Sequence, residues 1–370
     1  MPVDLSKSLV IGISSSALFD MDEADLVFRK EGLEAYRSFQ IRKADEPLAK
    51  GAGFPLIRVV LRLNEITKRN PNATRKAEVI VVSKNSPATS MRLYNSIKFH
   101  GLHDIQRSVL SGGAPIAKYL RAFSCDLFLS RTPEDVEEAL QSGIPAGLIY
   151  AAPERPDEEI DQIRIAFDGD AVLFSGEAEE IYQKHGLDRF VEHETTQAGV
   201  PLPEGPFATL LKVLSFLQSD PHFEDNPPVR IALITARSMP THERVIRTLL
   251  QWKVNVDEAF FMGGVEKTAI LQAFRPHIYF DDQKVHCEPA AKVVPTAYVP
   301  CGPVRDVLER RGLFETQSES AAYDAGIVIN TEGAVSTHGA TVGDSGAVSA
   351  EPIVHSLDVG IDAARDLPES

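Results

Sequence analysis

"IAFDGDAVLF", residues 165–174, runs from an apolar stretch straight into two aspartates one residue apart. A short apolar run without strict alternation reads as a strand of a parallel sheet, buried on both faces. Asp168 and Asp170 then stand at its C-terminal end, the edge at which open α/β sheets bind their ligands. A second stretch, "IGISSSALF" at residues 11–19, has the same apolar lead and the same small middle. It carries Ser14 and Ser16 where the aspartates would be.

Working outward, the two stretches open two copies of one pattern. With Asp168 over Ser14, Glu177 falls on Glu23, Ala178 on Ala24, Lys184 on Lys30, Gly186 on Gly32 and Leu187 on Leu33. Phe190 meets Tyr36, Pro201-Leu202 meets Pro47-Leu48, and Gly205 meets Gly51. Further on, "RIALITARSMP" matches "EVIVVSKNSPA" with Thr235 over Ser83, and Gly263-Gly264 falls on Gly112-Gly113. Self-similarity of this order marks an internal duplication. Apolar runs such as "VRIALIT" and "PHIYF" alternate with helical patterns such as "TLLKVLSFLQS" and "THERVIRTLLQW". That alternation predicts a doubly wound, Rossmann-like α/β sheet in each half.

The expected organisation is a unit over residues 1–154, a second over 155–330, and a tail over 331–370. Each unit holds an insertion far longer than an ordinary βα connection, roughly residues 20–78 and 175–229, which reads as a helical cap. The tail is rich in Gly, Ser, Ala and Thr and lacks the pattern of the rest.

Composition bounds the function. The chain has 370 residues, 43% hydrophobic and 25% charged, as in a globular protein. A net charge of −15 argues against a nucleic-acid polymer as partner, since such binding needs a surplus of Lys and Arg. A small anion remains admissible, because a metal ion reverses the sign locally. Three cysteines form no CxxC pair, which favours a reducing, cytoplasmic setting over a disulfide framework or zinc site. No apolar run approaches the ~18 residues of a membrane span, and "LVIGISSSALF" reads as a buried strand rather than a signal-peptide core.

The halves differ mainly at strand ends. Asp168 stands over Ser14, Asp170 over Ser16, Lys267 over Ile116, Asp281 over Ser130 and Asp282 over Arg131. Shared glycines and apolar residues serve the fold; the ionisable set belongs to a site confined to the second half. Four crowded carboxylates call for a cation, and an all-oxygen donor set suits Mg²⁺. One carboxylate can attack phosphorus, and one two residues on can move the proton. A lysine and a threonine can hold the phosphoryl group.

In order, "DGDAV", "LITAR", "GGVEK" and "FDD" resemble the four motifs of haloacid dehalogenase-type phosphotransferases. Within that superfamily "AFDGDAVLFS", "KHGLDRFVEHE" and "RPHIYFDDQ" resemble the type I cytosolic 5′-nucleotidases. So do "SSSALFDMDE", "RLYNSI" and "SGGAPIAKYLRA" of the first half, and the likeness covers roughly residues 8–303. It implies two tandem haloacid dehalogenase-type units, the first without catalytic carboxylates. It also implies Mg²⁺-dependent hydrolysis of nucleoside 5′-monophosphates, AMP or dAMP favoured. Asp168 would be the nucleophile and Asp170 the general acid/base. Thr235 and Lys267 would bind the phosphoryl group. Asp168, the Asp170 backbone carbonyl and Asp282, supported by Asp281, would hold the metal. Phe174, Ser175, His193, Arg237, Ser238 and Gly264 are candidate substrate contacts. A sugar-phosphate phosphatase or phosphotransferase and a nucleotide-sensing protein are the alternatives, and a homo-oligomer stays open.

Overall fold

The structure, a computed structural model, describes Leu5 and residues 8–68, 76–151, 162–219 and 227–300. The tail over 331–370 and the join of the two units near residue 154 lie outside the described residues.

Among the described residues ten strands form: β1 (Leu9–Ile13), β2 (Ala77–Ser83), β3 (Arg107–Leu110), β4 (Leu127–Ser130), β5 (Ala146–Ile149), β6 (Ile163–Phe167), β7 (Val229–Thr235), β8 (Glu258–Phe261), β9 (Ile278–Asp281) and β10 (Thr296–Tyr298). Every residue of β1, β2, β4 and β9 is buried, the mark of strands covered on both faces. Helices join them, including Asp22–Arg42 and Phe54–Lys68 in the first insertion and Glu177–Thr196 and Ala208–Gln218 in the second. Among the described residues no helix is long and apolar enough to cross a membrane.

The expectation of a separate sheet in each half is corrected. All ten strands form one sheet in the order β3-β2-β1-β4-β5-β10-β9-β6-β7-β8. Read outward from the middle, each half repeats the same strand order. Among these strands every pairing within a half is parallel, and β5 pairs antiparallel with β10, Ala297 opposite Ile149 and Tyr298 opposite Leu148. The physical reason is an edge: β5 and β10 would each present unpaired N–H and C=O groups, and joining them removes both edges. Gly147 permits the approach, since a Cβ there would lie 2.9 Å from the Ala297 Cβ and 3.2 Å from the Phe280 ring.

Side-chain alternation then decides the cores. On one face Ile11, Ile13, Val79, Leu129, Ile149, Ile165, Phe167, Leu233, Phe280 and Ala297 belong to a single cluster spanning both halves. The helix Phe54–Lys68 of the first half lies against β2 and also against β6 of the second. On the other face the core divides, with Val10, Ile80 and Phe128 in one cluster and Ala166, Ile234 and Tyr279 in another.

Details of the repeat are visible in the backbone. Gly32 and Gly186 kink the first insertion helix of each half at φ 82° and 79°, conformations that suit glycine. Gly51 and Gly205 pass so close to the strand-end turns that a Cβ would lie 2.7 Å from Ala17 O and 2.4 Å from Phe174 O, respectively.

Candidate functional site

The strand ends assemble the charged set. Asp168 follows β6 in extended conformation, and its N–H donates to Phe280 O of β9 at 2.8 Å. Asp281 is the last residue of β9 and Thr235 the last of β7, both buried. Lys267 precedes the short helix Thr268–Phe274 and points inward with 5% of its surface exposed. Its Nζ donates to Asp168 Oδ1 at 2.6 Å, Asp281 Oδ2 at 2.7 Å and Tyr279 OH at 3.0 Å. Tyr279 OH donates in turn to Asp281 Oδ2, Gln283 N–H donates to Oδ1 at 2.8 Å, and His286 Nδ1 lies 3.3 Å from Oδ2.

These contacts set the charges. Burial pushes the Asp168 carboxyl up to about 7 although Lys267 pulls the other way, and the Asp281 carboxylate adds to the rise. Asp282 goes up to about 9, first through burial and then through Asp168 and Asp281. Burial also works against ionised Asp281, but His286 and Lys267 together hold it below the usual carboxylate range. Burial disfavours the Lys267 charge, yet Asp168 and Asp281 outweigh it and keep the ammonium protonated. One lysine is therefore too little positive charge for three carboxyls, and a divalent cation would supply the remainder. Their oxygens suit Mg²⁺, which takes few protein carboxylates and fills its shell with water and phosphate oxygens. Among the described residues no three His, Cys, Asp or Glu side chains already converge as a metal cage.

Asp170 faces a different cation. Between Asp168 and Phe174 the chain makes a tight turn, Gly169–Leu173, with Ala171 at φ 60°. Arg237 grips the Asp170 carboxylate with two bonds, Nε to Oδ2 at 2.8 Å and Nη2 to Oδ1 at 2.6 Å. Its Nη1 donates to Glu194 Oε2, and Arg244 Nη1 donates to Glu194 Oε1 at 2.6 Å. Thr235 Oγ1 accepts from the Arg237 N–H at 3.3 Å, which ties the turn to the end of β7.

The candidate substrate contacts divide. His193 Nδ1 lies 3.1 Å from Glu194 Oε1, and Ser238 and Gly264 are exposed, Gly264 at φ 85° with open space where a Cβ would stand. Ser175 Oγ is buried with no hydrogen-bond partner among the described residues. Arg237 is engaged by two carboxylates. Phe174 has no exposed surface, and its ring packs 5.5 Å from that of Trp252. The structure thus gives Phe174 a packing place, and the overlay of the halves shifts at this point. A constant offset sets Phe174 over Asp20, whereas the backbone bridges Phe174↔Glu204 and Phe19↔Lys50 pair it with Phe19. The second half has one more residue in the turn, absorbed where Ala171 turns left-handed.

Tyr279, Arg244 and His286 escaped the sequence reading. Tyr279 had a signal, since it lies two residues before Asp281 and so on the same face of β9. Arg244 had one too, standing over Arg92 in the overlay that joins Thr235 to Ser83.

A 5′-nucleotidase family model matches residues 1–306 of the chain. Human cytosolic 5′-nucleotidase 1B is 34% identical over 297 residues, which are 79% of this chain and 48% of that protein. The chain thus spans about half the length of this curated relative. Two solved structures match at a level that carries no argument about fold or function. One, described as a universal stress protein from Pseudomonas aeruginosa UCBPP-PA14, is 11% identical with a TM-score of 0.29, covering 68% of this chain and 91% of that one. The other, histidinol dehydrogenase from Elizabethkingia anophelis, is 10% identical with a TM-score of 0.21, covering 67% and 51%. The match along most of the sequence, together with the 34% identity, makes the chain a member of the 5′-nucleotidase family.

Proposed function

We propose that the chain is a Mg²⁺-dependent 5′-nucleotidase of haloacid dehalogenase type, releasing phosphate from nucleoside 5′-monophosphates with AMP and dAMP favoured. The observation that carries this reading is the Lys267 ammonium between Asp168 and Asp281 at the ends of adjacent strands. It neutralises a nucleophile in the ground state and stands where the phosphoryl oxygens would gather.

With Oδ1 held by Lys267, Asp168 attacks phosphorus through its other oxygen. The P–O5′ bond breaks, and Asp170, entering this step as the protonated acid, gives its proton to O5′ of the leaving nucleoside and is left as the carboxylate. Water then attacks the phosphorus of the aspartyl-phosphate, Asp170 takes its proton, and the P–Oδ bond breaks. Thr235 and Lys267 bind the phosphoryl oxygens throughout. Asp168, the Asp170 carbonyl and Asp282, with Asp281 in support, would hold Mg²⁺, which when bound keeps the carboxylates ionised and offsets phosphoryl charge. Ser175, His193, Ser238 and Gly264 are proposed substrate contacts around the turn. The boundaries 1–154, 155–330 and 331–370 are proposed as two related units and a tail. A cytoplasmic setting fits the free, buried Cys125 and Cys287.

The test is phosphate release across nucleoside monophosphates and sugar phosphates, with Mg²⁺ and with EDTA. AMP and dAMP should lead and EDTA should abolish turnover. A sugar phosphate preferred over every nucleotide, or activity unchanged by EDTA, would overturn the proposal.

A further inference from the structure

We infer that Glu194 is a positioning residue for Asp170, acting through Arg237 and linking the first insertion helix of the second half to the acid/base carboxyl. The inference rests on the role proposed above for Asp170. Glu194 lies on the helix Glu177–Thr196 with its side chain fully buried. It holds Nη1 of Arg237, while Nε and Nη2 of the same guanidinium hold both oxygens of Asp170. Arg237 is 4% exposed, and its plane lies over the Phe190 ring at 5.4 Å. A planar fork fixed on two sides leaves Asp170 one orientation.

Buried ion pairs are weak contributors to stability, and similar packing without the charges often serves a fold as well. This molecule contains a counterpart without the charges of Glu194, Arg237 and Asp170. In the first half Gln40 stands for Glu194, Asn85 for Arg237, Tyr36 for Phe190 and Ser16 for Asp170. Gln40 Nε2 donates to Tyr36 OH at 3.2 Å, Tyr36 OH donates to Asn85 Oδ1 at 3.2 Å, and Arg92 Nη1 donates to Gln40 Oε1 at 3.4 Å. Arg92 keeps the place of Arg244: Nε of each donates to a backbone oxygen at 2.9 Å, Glu46 O in one half and Val200 O in the other. The Leu48 and Leu202 N–H groups are likewise held at 2.9 Å by Ser96 Oγ and Thr248 Oγ1. The same corner of the fold thus closes with amide and hydroxyl groups around the one retained guanidinium, Arg92. The anion, the cation and the ring without a hydroxyl occur together, in the half that has Asp170.

The experiment compares wild type with Glu194→Gln and with the triple exchange Phe190→Tyr/Glu194→Gln/Arg237→Asn, which installs the first half's neutral set. AMP and 4-nitrophenyl phosphate are the probes, both with Mg²⁺. The O5′ alkoxide needs a proton to leave; nitrophenolate does not. A misplaced Asp170 should therefore lower kcat on AMP by about 30- to 100-fold with KM nearly constant. The first-turnover burst of nitrophenolate should stay within about threefold of wild type, since that step needs no proton donor. The triple exchange should melt within a few degrees of wild type and show the same loss on AMP with the nitrophenolate burst spared. Full kcat on AMP in Glu194→Gln, or a nitrophenolate burst slowed as much as AMP turnover, would overturn the inference. So would a triple exchange that melts far below wild type, because the charges would then be serving the fold. Wild-type protein inactive on both probes would instead remove the site reading and this inference with it.

Discussion

The two halves of the sheet are built alike and charged differently. After β1 the chain continues through Ser14, Ser15 and Ser16; Ser14 Oγ lies 3.3 Å from Ser16 Oγ, and Ser15 Oγ lies 3.1 Å from Ser83 Oγ. After β6 the corresponding turn carries Asp168 and Asp170 and is one residue longer. Where Lys267 reaches across to Asp168, Ile116 fills the space as a fully buried side chain. Where Asp282 adds a third carboxyl, Arg131 turns outward to Asp22 at 2.7 Å. One backbone plan accepts either hydroxyls and amides with the Lys84–Asp135 pair and Arg92, or the Asp168–Lys267–Asp281 and Asp170–Arg237–Glu194 clusters. The charges are therefore not what the fold requires, which supports the proposal that the half holding them carries the chemistry.

The comparison breaks most decisively at Asp168. Asp168→Asn should lower phosphate release by at least about 10⁴, some 5 kcal/mol of transition-state stabilisation. Circular dichroism should stay native, since the first half builds the same turn with Ser14. A folded Asn variant with near-wild-type turnover would mean that the charged half is no more a catalyst than its neutral copy.

Next in size is the join between the halves. Gly147→Val would drive a branched side chain into Ala297 and Phe280, and overpacking of this kind costs about 2 kcal/mol. Urea denaturation should show one cooperative transition moved to lower concentration. Two separate transitions would show that the halves are independent. For the same reason a fragment over 155–330 should be insoluble or poorly active. It would expose the β10 edge and uncover the face of β6 that meets the helix Phe54–Lys68.

Much of this was legible in the sequence because it rests on local rules. The alternation of apolar runs and helices, the strand-end aspartates and the shared Gly186 and Gly32 each follow from periodicity or turn chemistry. The single ten-stranded sheet was not legible: β5 and β10 are short, and nothing local in "AGLI" or "TAY" states which edge they meet. The packing of Phe174 against Trp252 was not legible either, because the two lie far apart along the chain and no local pattern joins them. Arg237 was legible only in part. Its charge suggested a substrate contact, and only the structure shows Asp170 and Glu194 on either side of it.

A smaller effect concerns pH. In metal-free protein the Asp168 and Asp282 carboxyls titrate near 7 and 9, far above the ~4 of an unfolded chain. The folded state therefore binds more protons than the unfolded state between these values, and stability falls as pH rises through the window. With EDTA, Tm should decline by several degrees between pH 5 and 9. Mg²⁺ should remove much of the decline, and Asp282→Asn should flatten it. A Tm in EDTA that rises over this range would contradict the charge balance assigned to the site.

The smallest effect is expected in the neutral half. Ser14→Ala and Ser16→Ala delete hydroxyls that bond each other and, from Ser14, the Ala17 N–H at 3.2 Å. The cost should be that of an N-cap, about 1 kcal/mol in stability, with kcat on AMP within about twofold. Replacing both with aspartate should create no second site. Ile116 supplies no ammonium, Ser130 and Arg131 supply no carboxylate, and two carboxyls at one strand end would repel with nothing between them. The double aspartate variant should therefore lose stability and gain no phosphate release beyond that of the intact second half. Measured in the Asp168→Asn background, any turnover would have to arise at the new pair. Turnover there above the Asp168→Asn level would show that the first half needs only its nucleophile restored, and that the lysine and the β9-end carboxylates matter less than their place beside Asp168 suggests.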